Sequence, residues 1–148
     1  AFVSVMLVNN ETGIVQPLAA VREREATVAR ATQMRDRLAS SIRASAPEVV
    51  VTAASAPRCA ATLHLQIKGV ESEALLIALD DLGVCASAGS ACASGALEPS
   101  HVLAAMGVPV ELSRGALRLS LGWSTTDADI HAAALAVPKA IEMLRANQ

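Results

Sequence analysis

Phe2 to Val8 (FVSVMLV) is apolar at nearly every position and rich in β-branched residues, and it stops abruptly at Asn9-Asn10-Glu11-Thr12-Gly13. The run predicts a buried strand that enters a polar turn. Past Pro17 the period lengthens. Ala31, Met34, Leu38, Ile42 and Ala46 recur at three- and four-residue steps, the apolar stripe of a long packing helix that Pro47 terminates. Val49 to Thr52 and Thr62 to Ile67 return to the strand period. The second alternates Leu63, Leu65 and Ile67 with His64 and Gln66, as a sheet with one wet face requires.

Ser72 to Leu82 predicts a second helix, with Glu71 and Glu73 at its positive end and Gly83 placed to close it. Val84 to Ala86 reads as a brief strand. Ser87 to Leu97 (SAGSACASGAL) consists almost wholly of small residues that bury little area, the composition of a mobile loop. Pro99 opens a short helix through Met106 that Gly107 closes, and Gly115 to Leu121 alternates as a further strand. Thr126 can cap a final helix with Asp129 in its first turn, and Pro138 is expected to kink or split that helix. This order of elements, without repeat or linker, predicts an α/β (α+β) domain in which a small sheet is covered by helices.

Composition narrows the function classes. Of 148 residues, 53% are hydrophobic and 18% charged, enough for a core of small aliphatic layers, while one Trp, one Phe and no Tyr provide no stacking platform for bases. A net charge of -2 gives no field that gathers phosphates, so nucleic acid is not an expected partner. The arginines between Arg22 and Arg43 are interleaved with Glu23, Glu25 and Asp36 and read as a solvated helix face. No apolar run reaches the roughly 18 residues of a membrane span, and the N-terminus lacks the order of a signal peptide, so a cytoplasmic location without a membrane partner is expected. Cys59, Cys85 and Cys92 form neither a CxxC pair nor an even disulfide set. That suits a reducing compartment with one reactive thiol and two buried ones.

Cys92 is the candidate nucleophile, because its neighbours are Ser, Ala and Gly and nothing large shields it. No Lys, Arg or His is adjacent in sequence to lower its pKa, so activation must come from a cofactor, a partner or the tertiary fold. The alternative is an inert small residue. Cys59 and Cys85 read as buried small residues, no zinc spacing is present, and His64, His101 and His131 read as surface or core filler. Arg118, a guanidinium on an apolar strand, either reaches solvent as an ordinary sheet-face arginine or grips a substrate carboxylate with its planar fork.

Val5 to Pro17 (VMLVNNETGIVQP with Met6 second), Gly89 to Leu103 (GSACASGALEPSHVL) and Leu117 to Gly122 (LRLSLG) together resemble the NifS/IscS-type cysteine desulfurases, pyridoxal-phosphate enzymes of the aspartate aminotransferase-like fold. Thr62-Leu63 and Gly69 to Leu75 follow the same family's small-domain pattern, so the resemblance covers nearly the whole chain. It implies residues 1–21 as a strand and turn of the large cofactor-binding domain, and 22–148 as the small C-terminal domain. It also implies conversion of L-cysteine to L-alanine with a persulfide on Cys92, Asn10 on the cofactor ring hydroxyl with Asn9 beside it, and Arg118 on the substrate carboxylate. Leu97-Glu98-Pro99-Ser100 resembles the long-loop branch, whose members dimerise and hand sulfur to an iron–sulfur scaffold. Cys92 is then also a shared iron–sulfur ligand at that scaffold.

The chain departs from the family after Val21, where it passes directly to the helix that leads into the small domain. The Schiff-base lysine segment, the ring-stacking His and the Asp for the pyridine nitrogen have no counterpart, Lys68 and Lys139 stand in other surroundings, and Ala61 replaces a usual Asn. Pyridoxal phosphate is therefore implied by the family but not expected to bind this chain unaided. Two other functions stay open: a non-catalytic scaffold-binding module, and a thiol carrier that receives persulfide sulfur on Cys92 without the cofactor. Exposed apolar surface and self-association are expected where family members cover this piece with their large domain.

Overall fold

A computed structural model describes residues 24–88 and 100–146. The strand expected over Phe2–Val8, Asn9, Asn10 and Cys92 lie outside the described residues. The first helix, α1 (Arg24–Ser45), carries the three- and four-residue stripe. Met34, Leu38 and Ile42 from it enter the core, and Pro47 stands two residues past its end. Strands β1 (Val50–Val51) and β2 (Thr62–Gln66) follow, then α2 (Ser72–Asp81), α3 (His101–Ala105), α4 (Val110–Ser113), β3 (Ala116–Ser120) and α5 (Asp127–Ala146).

The three strands form one antiparallel sheet in the order β1-β2-β3. Leu63, Leu65, Leu117 and Leu119 point to one face, where they meet Leu38 and Ile42 of α1, Leu75 and Leu79 of α2, and Val137 and Ile141 of α5. The α+β domain with a helix-covered sheet is thus observed. Fully burying each of these Leu and Ile side chains contributes about 1.5–3 kcal/mol of transfer free energy, so the sheet is held chiefly by this single face. The other face presents Thr62, His64, Gln66, Arg118 and Ser120.

Local chemistry sets the element ends. Gly83 at φ +76 closes α2, its N–H donating to the Asp80 carbonyl and the Val84 N–H to that of Leu79. Thr126 and Asp129 cap α5 reciprocally: the Asp129 N–H donates to Thr126 Oγ1 at 3.2 Å, and the Thr126 N–H to Asp129 Oδ2 at 2.8 Å. Gly115 enters β3 where a Cβ would lie 1.8 Å from the Ile67 carbonyl oxygen, so only glycine fits.

Four expectations need correction. Pro138 does not split α5, which runs through it; the ring is buried beside Val137 and Ile141, and that packing offsets the missing backbone bond. Val84 to Ala86 forms no strand, because the chain meets β3 at one bridge only, Ser87 to Arg118. Cys59 and Cys85 are exposed rather than buried. Val84 and Ala86 pack against the core, so Cys85 between them turns outward, and Cys59 sits in the turn-rich loop before β2. Finally, the α1 arginines are not all solvated. Arg35 is only 6% exposed and donates to the Cys59 carbonyl and to Asp36, each at 2.8 Å.

Candidate functional site

The site grows from the middle of β3. Arg118 stands between Leu117 and Leu119, both buried, so strand alternation sends its side chain to the polar face. Two neighbours fix it in register. On one side it is the Cα partner of His64 on β2. On the other, its N–H donates to the Ser87 carbonyl at 2.7 Å and its carbonyl accepts from the Ser87 N–H at 3.0 Å.

Ser87 is the last described residue but one before the segment that bears Cys92. Cys92 follows it by five positions in the sequence. The sheet therefore joins the expected carboxylate-holding arginine to the root of the expected sulfur-accepting segment. Arg118 and Ser87 are brought together, whereas Asn9, Asn10 and Cys92 fall outside the described residues.

His64 is more than filler. Its Nδ1 lies 2.8 Å from Thr52 Oγ1, which also accepts from Gln66 Nε2 at 2.9 Å. Burial, and secondarily the charge of Arg118, push its pKa below the ordinary histidine range, favouring a neutral imidazole beside the guanidinium. Strand alternation already put His64 on the wet face of β2, but only the register shows that it faces Arg118 across the sheet. His101 and His131 are exposed, as expected.

The remaining polar groups serve the fold. Arg30 donates to the Trp123 and Thr125 carbonyls and Arg37 pairs with Asp127, tying α1 to the start of α5. Its own backbone N–H and then Arg145 hold Glu48 below the usual carboxylate pKa. One groove lies between Gly69–Glu71 and Val110–Arg114, and another is lined by Cys85, Ser120 and Asp129; neither includes Arg118. Among the described residues no group of three or more His, Cys, Asp and Glu could hold a metal ion, and no helix is long and apolar enough to cross a membrane.

A pyridoxal phosphate beside Arg118 needs a lysine within reach. Lys68 lies in the turn past β2, four residues from His64, roughly 13 Å along the strand direction, and Arg145 holds its carbonyl at 2.8 Å. Lys139 is exposed on α5, the helix that packs on the opposite face of the sheet. The described residues therefore do not fit the cofactor.

The sequence pattern of the aminotransferase class-V family matches residues 22–133. A "Cysteine desulfurase" of Nostoc sp. is 42% identical over 122 residues, 82% of this chain and 30% of the relative. An "IscS-like cysteine desulfurase" of Mycobacterium tuberculosis is 43% identical over 122 residues, 82% of this chain and 31% of its own length. The X-ray structure of a NifS-like protein from Rickettsia africae superposes with a TM-score of 0.71 at 20% identity, over 96% of this chain and 41% of that one, a likeness of fold. The chain thus spans about a third of the length of the curated relatives it matches.

Proposed function

Because the chain belongs to the aminotransferase class-V family, we propose that residues 22–148 are the small C-terminal domain of a cysteine desulfurase and residues 1–21 a strand and turn of its large domain. In this reading Arg118 binds the carboxylate of L-cysteine and the Cys92 thiolate takes its sulfur. The atoms balance: the substrate carbon–sulfur bond breaks, a sulfur–sulfur bond forms on Cys92, and the carbon left behind is protonated to give L-alanine. The relatives compared above bear the name cysteine desulfurase. The observation that carries the reading is the Ser87–Arg118 pairing, which tethers the thiol-bearing segment to the arginine.

The electron sink that such a reaction needs is the family's pyridoxal phosphate. The described residues supply the carboxylate grip and the tether, and the sink belongs with a lysine they do not offer. Asn10 and Asn9 are proposed contacts to that cofactor. The proposed sulfur acceptor is an iron–sulfur scaffold at which Cys92 also serves as a shared cluster ligand, in a reducing, cytoplasmic setting and a homo-oligomeric assembly. The placement of Lys68 and Lys139 away from Arg118 favours, for the chain by itself, the second reading of a persulfide carrier or scaffold-binding module.

The test is a graft. Residues 22–148 replace the matching third of a lysine-bearing cysteine desulfurase, and alanine released from L-cysteine is measured. The expected outcome is turnover that C92S abolishes and that R118A weakens mainly through KM. A graft that folds and binds the cofactor yet releases no alanine would overturn the reading.

A further inference from the structure

His64 occupies an unusual position for a residue with no role in the scheme above. Its backbone pairs with Arg118 on one side, and its ring is fixed on the other by Thr52. Directly opposed residues on one sheet face have Cβ atoms about 4.5–5.5 Å apart, so the imidazole and the guanidinium share one patch. Arg118, from β3, is the charged group facing the ring. Thr52 from the end of β1 and Ser87 from the edge segment carry no charge.

We propose that His64 is a positioning residue for Arg118, and that a carboxylate held by Arg118 draws a proton from solvent onto the His64 imidazole. The inference rests on the reading that Arg118 holds a carboxylate. An anion on the guanidinium cancels the charge that opposes His64 protonation and adds an attractive one. The proton costs no contact. The Thr52 hydroxyl, with one donor and two acceptor positions, accepts from Gln66 and donates to a neutral Nδ1; by rotating, it accepts from both once Nδ1 is protonated.

Linkage fixes the sign. Because the bound anion raises the His64 midpoint, anion affinity rises as pH falls through the window between the free and bound midpoints. Such a site holds a carboxylate more tightly at lower pH and returns a proton when the anion leaves.

The experiment is a proton NMR titration of the histidine rings in the full chain, with sodium propionate as the carboxylate probe and sodium chloride at equal ionic strength as reference. His64 is assigned from H64N. The expected result is a His64 midpoint raised by about half a unit in propionate, with an affinity for the ionised probe about threefold higher below the free His64 midpoint than near pH 8. R118Q removes both effects, while H64N still binds propionate with a flat pH profile. Propionate that perturbs the Ser87 and Arg118 amides while the His64 midpoint stays fixed would overturn the inference and leave the arginine's role standing. No perturbation of those amides at either pH would overturn the arginine's role as well.

Discussion

Arg35 takes its charge into the core because the loop before β2 folds its own carbonyl onto the guanidinium. Asp36 neutralises it and in turn holds Arg58 at 3.5 Å. Charge-assisted bonds of this kind are worth about 1.5–3 kcal/mol each, and removing one partner strands the other. R35A should therefore lower unfolding stability by about 2–3 kcal/mol in urea, whereas R43A, at an exposed position, should stay within about 0.5 kcal/mol. His64 sets a pH dependence of definite sign. Its folded pKa is depressed by burial and then by Arg118, so on acidification the unfolded chain takes up the proton first. Stability should be full above the ordinary histidine range and fall as pH drops through that range toward the folded midpoint. Urea midpoints across that window, compared with H64N, isolate the contribution, and equal slopes for the two chains would contradict it. Strand alternation in the sequence shows that His64 and Arg118 lie on wet faces. That they lie on the same face and in register depends on how β2 and β3 pair, which no local pattern encodes, and the burial of Arg35 depends on a loop 24 residues away.

Element boundaries were legible wherever period or cap chemistry was strong. The stripe from Met34 to Ile42 and the alternation of Leu63 with Leu65 gave α1 and β2, and the Thr126–Asp129 pair marked the start of α5. What failed lacked a period or was decided by packing. The four residues of α4 after Pro109 complete no amphipathic repeat, and Pro138 survives inside α5 because its ring is core. The α5 start is also where α1 docks, through Arg30 on the Trp123 and Thr125 carbonyls. T126A removes the side-chain half of the cap and should cost about 1 kcal/mol, read from the thermal midpoint. The loss should grow in T126A/R30A, because the cap and the arginine order the same short turn. Strict additivity of the two losses would show that the turn is held elsewhere.

At the scale of the molecule, the sheet divides two kinds of chemistry. One face is sealed by α1, α2 and α5, and the other carries Arg118, His64 and the root of the Cys92 segment. In the proposed reading the cofactor would lie on the second face, near Arg118, and its lysine would have to reach that face. Lys139 is on the sealed side. Lys68 sits past the end of β2, where the Arg145–Glu48 pair at 2.5 Å and the Arg145 bond to its carbonyl fix the turn. Bringing the Lys68 amine to Arg118 means undoing this turn, and bringing the Lys139 amine there means undoing the core. The purified chain mixed with pyridoxal phosphate should therefore leave the absorbance spectrum of the free cofactor unchanged and release no alanine from L-cysteine. The same chain exposed to a small persulfide donor should gain one sulfur at Cys92, read by mass spectrometry, while the exposed Cys59 and Cys85 report any indiscriminate reaction. A new visible band that borohydride fixes on Lys68 or Lys139, accompanied by alanine, would mean that a lysine reaches the open face after all. The division of labour across the sheet would then be wrong.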